Sequence, residues 1–236
     1  MEPKILIIVP AFNESGSIAR LIKEIRTSLP QADLVIINDG SRDLTEEEAT
    51  KAGALVATLP FNLGIGGSVQ TGYQIAFEQN YDVAVQIDGD GQHDPAYAAE
   101  LIQPVLEGRL DLCIGSRFMD GPSSENFRST PLRRFGIRFF CRLLGVLTGL
   151  QLTDPTSGFR AASKALIKHF AHYYPVDFPE PETIKIAQRH SALVGEIPVR
   201  MRERQGGRSS IRYFTTLYYM AKVTLAILID MLKKNP

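Results

Sequence analysis

Two carboxylates separated by one glycine, Asp88 and Asp90, follow directly on an apolar run from Tyr81 to Ile87. Side chains alternate along a strand, so residues two apart at its end face the same way. With Gln92 close behind and no cysteine or close histidine pair, two such oxygen ligands suit a hard divalent cation holding a phosphorylated ligand. The competing reading is an Asp/Gly-rich surface turn. Other chemical groups also stand where apolar runs stop. Asp39, in Asn38-Asp-Gly-Ser41, either accepts the N–H edge of a pyrimidine or guanine ring or makes an Asp-Gly turn. Arg117 closes the run Leu110–Gly115; its forked donors suit a phosphate oxygen, or it pairs with one of the many acids. Asp154 precedes Pro155 and is either a catalytic base or the residue that orients that turn, with Glu180 and Glu182 as competing bases. His93 lies beside the two carboxylates and reads either as a residue that supports them from behind or as a surface histidine. His169, His172 and His190 share no ligand spacing.

The elements that must hold these groups alternate strand with helix. Residues 4–9 read as a buried strand stopped by Pro10. An amphipathic helix starting at 15–17 then shows Ile18, Leu21, Ile22 and Ile25 on one face. Residues 33–38 form a second strand, 43–52 a charged helix and 54–59 a third strand. Asn62-Leu-Gly-Ile-Gly-Gly-Ser68 opens a helix to about residue 79, and the strand into Asp88 follows. A helix near 95–106, a strand at 110–115 and a strand at 194–201 complete the pattern. Such alternation gives right-handed crossovers, a mostly parallel sheet, and ligands beyond the carboxyl ends of the strands. Pro10–Glu14, Asp39–Ser41 and Asp88–Gln92 all fall at those ends. Residues 119–131 read as a polar loop long enough to cover the site.

Composition narrows the function classes. An apolar fraction of 44% belongs to a globular chain, and two cysteines without a framework spacing suit a reducing compartment. The N-terminal apolar run is too short for a signal peptide, which points to the cytosol. The zero net charge hides an asymmetry. Residues 1–120 carry 8 Lys/Arg and 18 Asp/Glu, whereas residues 121–236 carry 18 and 8. A basic half suits an anionic substrate or a membrane surface. Nucleic acid is not expected, because interleaved stacking aromatics and a recognised binding motif are missing. A dinucleotide-binding reading of Asn62–Gly67 fails, since the glycines do not follow the first strand. A nucleotidyltransferase lacks its phosphate grip in the first-strand loop, and a non-enzymatic nucleotide-sugar-binding module leaves Asp88, Asp90 and Arg117 unexplained.

Seven strings stand in order along the chain: Val9-Pro-Ala-Phe-Asn-Glu14, Asn38-Asp-Gly-Ser41, Asn62-Leu-Gly-Ile-Gly66, Asp88-Gly-Asp-Gly-Gln92, Gly115-Ser-Arg117, Asp154-Pro-Thr-Ser-Gly-Phe-Arg160 and Arg204-Gln-Gly-Gly-Arg-Ser209. Together they resemble family-2 glycosyltransferases of the GT-A (nucleotide-diphospho-sugar transferase) fold, nearest the dolichyl- or undecaprenyl-phosphate sugar synthase branch. Ser210 stands where that branch usually carries lysine. The resemblance implies an α/β fold with a mostly parallel central sheet and C-terminal amphipathic helices. It implies a nucleotide-sugar site built by Pro10, Ala11, Asn13, Glu14, Asp39, Ser41, Asn62, Gly66, Asp88, Gly89, Arg204 and Ser209. Asn13-Glu14 also reads as a helix-capping box, and Arg204–Ser209 as an ordinary basic turn. Mg²⁺ or Mn²⁺ would sit at Asp88, Asp90 and Gln92, and the catalytic set would be Asp90, Arg117 and Asp154. Arg117 and Arg134 are the expected acceptor-phosphate residues.

The expected activity is metal-dependent, inverting transfer of a sugar from a nucleotide-sugar, UDP-linked ahead of GDP-mannose, to polyprenyl phosphate. The alternative is extension of a lipid-linked or cell-wall glycan with a carboxylate base. Residues 131–150 carry Arg134, Arg138 and Arg142 at i, i+4 spacing with apolar residues around the other faces, a pattern that lies in a membrane interface or packs on a core. Residues 211–234 have a longest charge-free run of nine residues, against the roughly 20 a bilayer span needs. The expected organisation is one domain over 1–210, divided into a nucleotide and metal half (1–120) and an acceptor half (121–210), then a membrane- or partner-docking helix over 211–236. Peripheral attachment at the cytoplasmic membrane face follows, with a separate membrane subunit or a second copy as candidate partners.

Overall fold

β1 (Ile5–Ala11) is buried at every position, as an uninterrupted apolar run at the centre of a two-faced sheet must be. The computed structural model describes residues 2–119, 131–202, 220–227 and 229, with side chains from 134 onward in the second stretch. Six further strands join β1: β2 (Asp33–Asn38), β3 (Leu55–Thr58), β4 (Val83–Gln86), β5 (Leu112–Ser116), β6 (Arg160–Ser163) and β7 (Val194–Pro198). Their order across the sheet is β3-β2-β1-β4-β6-β5-β7. All neighbours run parallel except at β6, which is antiparallel to both β4 and β5. The sheet is therefore mostly parallel, as expected.

Strand alternation divides the core into two layers. Ile5, Ile7 and Val9 face α1 (Ile18–Ser28), α2 (Thr45–Lys51) and α4 (Ala98–Leu106). Leu6 and Ile8 face the layer that holds α3 (Gly64–Glu78), α5 (Pro131–Thr148), α6 (Lys164–His172) and α7 (Pro179–Arg189). Ile18, Leu21, Ile22 and Ile25 are the buried stripe of α1, the face read from the sequence. A 3-10 turn at Pro95–Tyr97 precedes α4, with Asp94 accepting from the Ala96 amide at 3.1 Å.

β6, α6 and α7 have no counterpart in the sequence reading. β6 is only Arg-Ala-Ala-Ser, short and poor in β-branched residues, and its place is set by pairing on both sides. It sits between β4 and β5, so the acidic and basic halves interleave within one sheet instead of meeting at a boundary. α5 buries Ile137, Phe140 and Leu144 in the core and leaves Arg134, Arg138, Arg142, Phe135 and Val146 exposed. Residues 220–227 are helical, and Val223 and Ile227 are buried in that same core layer, while Leu225 and Ile229 are exposed. Residues 120–130 of the expected covering loop, and 203–219, lie outside the described residues.

Candidate active site

Three strand ends form one edge. The Ile87 amide bonds to the Ile8 carbonyl at 3.0 Å, Gly89 to Pro10 at 3.2 Å, and Asp39 to Ala11 at 2.9 Å. These ladder bonds carry the end of β1 past its neighbours and set Pro10, Ala11, Asp39 and Gly89 side by side. A Cβ on Gly89 would stand 3.0 Å from the Pro10 carbonyl, so the close approach requires glycine there. Gly91 has φ +74°, the other glycine this turn demands.

Asn13 and Glu14 do not make a capping box. Asn13 holds φ +57°, donates its amide to Ser41 Oγ at 2.9 Å and receives the Arg42 amide on Oδ1 at 2.8 Å. Glu14 is buried, with its amide on Thr45 Oγ1 at 2.8 Å. The helix starts later, at Ser17, whose hydroxyl caps nothing and instead donates to the Gly89 carbonyl at 2.8 Å. Ser17 thus ties the start of α1 to the carboxylate turn.

Asp39 is buried, and burial raises its pKa against the hydrogen bonds it receives. Its two oxygens accept the Leu63 and Gly64 amides at 2.7 and 3.0 Å, so it anchors the start of α3. Asn62 reaches back to the Asp39 carbonyl at 3.2 Å. Gly66 serves packing: a Cβ there would lie 2.1 Å from the Pro175 carbonyl oxygen and 2.3 Å from that of Val176.

Asp88 is part-exposed and Asp90 is buried at the same edge, and Asp90 Oδ1 accepts the Gln92 amide at 3.0 Å. Among the described residues no group of three His, Cys, Asp or Glu side chains is arranged to hold a metal ion. Two carboxylates and a glutamine amide are nonetheless a hard-oxygen set. It fits a cation such as Mg²⁺, which is held by one or two carboxylates and completes its shell with phosphate and water.

Arg117 and Asp154 come together, but on each other. Asp154 is 0% exposed and the Arg117 side chain 4%. Nε and Nη2 donate to the two carboxylate oxygens at 2.5 and 2.7 Å, and Nη2 also reaches Thr156 Oγ1 at 2.9 Å. Of the alternatives read from the sequence, this geometry favours the acid-paired arginine and the turn-orienting aspartate. A buried ion pair of this kind is nearly neutral as a unit. The geometry makes the pair a brace for the 154–158 turn, and that turn meets Asp88, since a Cβ on Gly158 would lie 3.1 Å from Asp88 Oδ2. Glu196 fixes the other side of the turn, accepting the Thr153 and Asp154 amides at 2.6 and 2.7 Å.

Arg160, Ser17 and Glu196 are the members that sequence reasoning missed. Arg160 is fully buried and donates to four oxygens: the Ser157, Pro155 and Glu180 carbonyls and Thr183 Oγ1, at 2.6 to 2.8 Å. It pins the same turn to the start of α7. Its place inside the string that begins at Asp154 was the available signal. Glu180, in the first turn of α7, has its pKa pushed up to about 7 by burial, against the pull of Arg160, and it shares a local field with Asp88 and Arg117. Glu182 follows in the same turn, part-buried. Arg134 stands exposed on α5. Arg204 and Ser209 lie outside the described residues. A cavity of about 430 Å³ lined by His169, His172 and His190, where the His169 and His190 rings stack at 3.7 Å, shares no residue with this edge.

The family model for glycosyl transferase family 2 matches residues 6–170. A UDP-N-acetylglucosamine–dolichyl-phosphate N-acetylglucosaminyltransferase of Methanococcus voltae is 30% identical, over 83% of this chain and 84% of the relative. An undecaprenyl-phosphate mannosyltransferase of Micrococcus luteus is 29% identical, over 88% and 87%. Among solved structures, glucosyl-3-phosphoglycerate synthase of Mycobacterium tuberculosis, in complex with Mn²⁺, UDP and glucosyl-3-phosphoglycerate, superposes with a TM-score of 0.73 at 22% identity, over 97% of this chain and 79% of that one. At that identity the likeness speaks for the fold.

Proposed function

The chain belongs to glycosyl transferase family 2 and has the GT-A fold, and from that premise we propose that it moves a sugar from a nucleotide-sugar to polyprenyl phosphate at the cytoplasmic face of a membrane. The observation that carries the donor side is the convergence of Asp39 and Asp88–Asp90 on one sheet edge through ladder bonds of β1, β2 and β4. Asp39 keeps lone pairs beyond the two amides it receives and accepts the N–H edge of the base. Glu14, held from behind by Thr45, faces the ribose. Asp88, Asp90 and Gln92 hold Mg²⁺ or Mn²⁺. That cation, when bound, neutralises the leaving diphosphate, worth several kcal/mol in the transition state. A UDP-sugar is favoured ahead of GDP-mannose.

The acceptor side rests on chemistry and on the relatives' lipid-phosphate acceptors. A phosphate monoester with a second pKa near ~6 is largely dianionic at neutral pH and attacks without a base. With Arg117 closed on Asp154, the acceptor phosphate falls to Arg134 and its neighbours on α5. Arg134, Arg138 and Arg142 lie on the exposed side of that helix together with Phe135 and Val146, the latter 84% exposed. Three arginines near an anionic leaflet contribute roughly 3 kcal/mol of attraction. Among the described residues no helix is long and apolar enough to cross a membrane, so attachment is peripheral.

One observation favours the second reading, glycan extension: a carboxyl titrating at about 7 beside the donor edge, Glu180, has the proton affinity of a general base near neutral pH. Incubation with labelled nucleotide-sugars and polyprenyl phosphate, with and without Mg²⁺ or Mn²⁺, separates the two. The expected product is lipid-extractable, mild-acid-labile and formed only with metal. Label that enters sugar chains alone would refute transfer to the lipid phosphate.

A further inference from the structure

Asp88 is held from three sides by groups to which the transfer reaction gives no other task. Below it, Gln86 ends a strand in which Val83, Ala84 and Val85 are all buried, and it is itself buried. An apolar residue would be the stable choice at such a position. Gln86 Nε2 donates to Asp88 Oδ1 at 2.9 Å, while its Oε1 is buried without a hydrogen-bond partner among the described residues. A buried acceptor left unmade is costly. The arrangement therefore keeps the Asp88 contact at the expense of stability.

Beside it stands His93, buried and stacked on Phe159 with centroids 5.1 Å apart and planes 12° from parallel. His93 Nδ1 accepts the Asp88 backbone amide at 3.0 Å, so the ring proton resides on Nε2, and Nε2 lies 3.6 Å from Asp88 Oδ2. One imidazole thus bonds the backbone of Asp88 and lies beside its side chain. The ring is fixed in turn by Phe159, and the main chain of His93 by a β-bridge to Met201. On the third side is Gly158. A Cβ there would lie 2.9 Å from Gln86 Nε2 and 3.1 and 3.2 Å from the Asp88 oxygens.

We propose that Gln86 and His93 are positioning residues that clamp Asp88 in the orientation a divalent cation and diphosphate require. This rests on the reading of Asp88 as a cation ligand. Groups that orient a metal-binding carboxylate from behind change metal affinity by about 10–100-fold when removed. They act through Asp88 and touch neither the sugar nor the acceptor.

The test uses the full chain and Mn²⁺, with free Mn²⁺ read by electron paramagnetic resonance in the presence of UDP or of GDP. Gln86→Met keeps the side-chain length and removes both the donor and the orphaned acceptor. Its Mn²⁺ affinity should fall about tenfold or more while its melting temperature holds or rises. His93→Ala should lose affinity to a similar degree. His93→Asn, whose Oδ1 restores an acceptor for the Asp88 amide, should recover most of it. Wild-type affinity in both Gln86→Met and His93→Ala overturns the clamp. So does a loss that His93→Ala and His93→Asn share while Gln86→Met is unaffected, since that marks a histidine needed only for packing. A wild-type chain that retains no Mn²⁺ with either nucleotide overturns the cation site itself, and the clamp with it.

Discussion

Asp154→Asn separates a brace from a base. The side chain is fully buried, and it meets Arg117 through two bonds of 2.5 and 2.7 Å. It also accepts the Arg117 amide at 3.2 Å and Thr156 Oγ1 at 3.1 Å. Asparagine preserves the shape but removes the charge, leaving the guanidinium desolvated and unmatched. Breaking one partner of a buried pair destabilises by about 3–5 kcal/mol. In a chain of this size each kcal/mol lowers the melting temperature by roughly 2–4 °C, so a fall of about 6–20 °C is expected. Urea unfolding followed by far-UV circular dichroism measures the loss, and Arg117→Met completes a double-mutant cycle. The double variant should be more stable than Asp154→Asn alone, because it no longer strands a buried charge. If Asp154→Asn unfolds within about 1 kcal/mol of wild type yet abolishes turnover, the bracing argument fails and Asp154 is the reacting carboxylate.

Two further perturbations test the same edge. Glu180 titrates at about 7 in the folded chain and near 4.5 ordinarily. Between those values the folded state holds a proton that the unfolded state has released, so stability falls as pH rises through the window, by about 1–3 kcal/mol. Glu180→Gln should flatten that slope in urea titrations from pH 4.5 to 7.5; an unchanged slope counts against the assignment. The same variant should keep turnover on polyprenyl phosphate, and its inactivity would favour the glycan-extending reading. Gly66→Ala forces a methyl against the Pro175 and Val176 carbonyls. It should destabilise the chain by about 1–3 kcal/mol, read from the same unfolding curves, and a neutral result would mean that the 175–176 segment yields.

Much of the strand-end edge was legible in residue order. Ile18, Leu21, Ile22 and Ile25 announced the buried face of α1 by spacing alone. Asp39 and Asp88 announced themselves by standing where buried runs stop, and a parallel sheet then had to gather them at one edge. β6 was illegible because a four-residue strand containing two alanines and a buried arginine carries no local signal, and its pairing with β4 and β5 fixes it. His93 read from the sequence as either a support behind the carboxylates or a surface histidine, and only its stacking on Phe159 and its bond to the Asp88 amide decide between them.

The chain by itself determined the family and the mostly parallel character of the sheet, because these follow from short-range periodicity and from residue types at strand ends. Only the tertiary structure decided which partner each charge meets. Arg117 meets Asp154 across 37 positions of sequence, and Arg160 reaches across 20 to the Glu180 carbonyl. Whether an arginine grips a ligand or closes on a carboxylate depends on which partner shares its burial. Desolvation and partner distance are properties of the packed fold, and no spacing along the chain carries them.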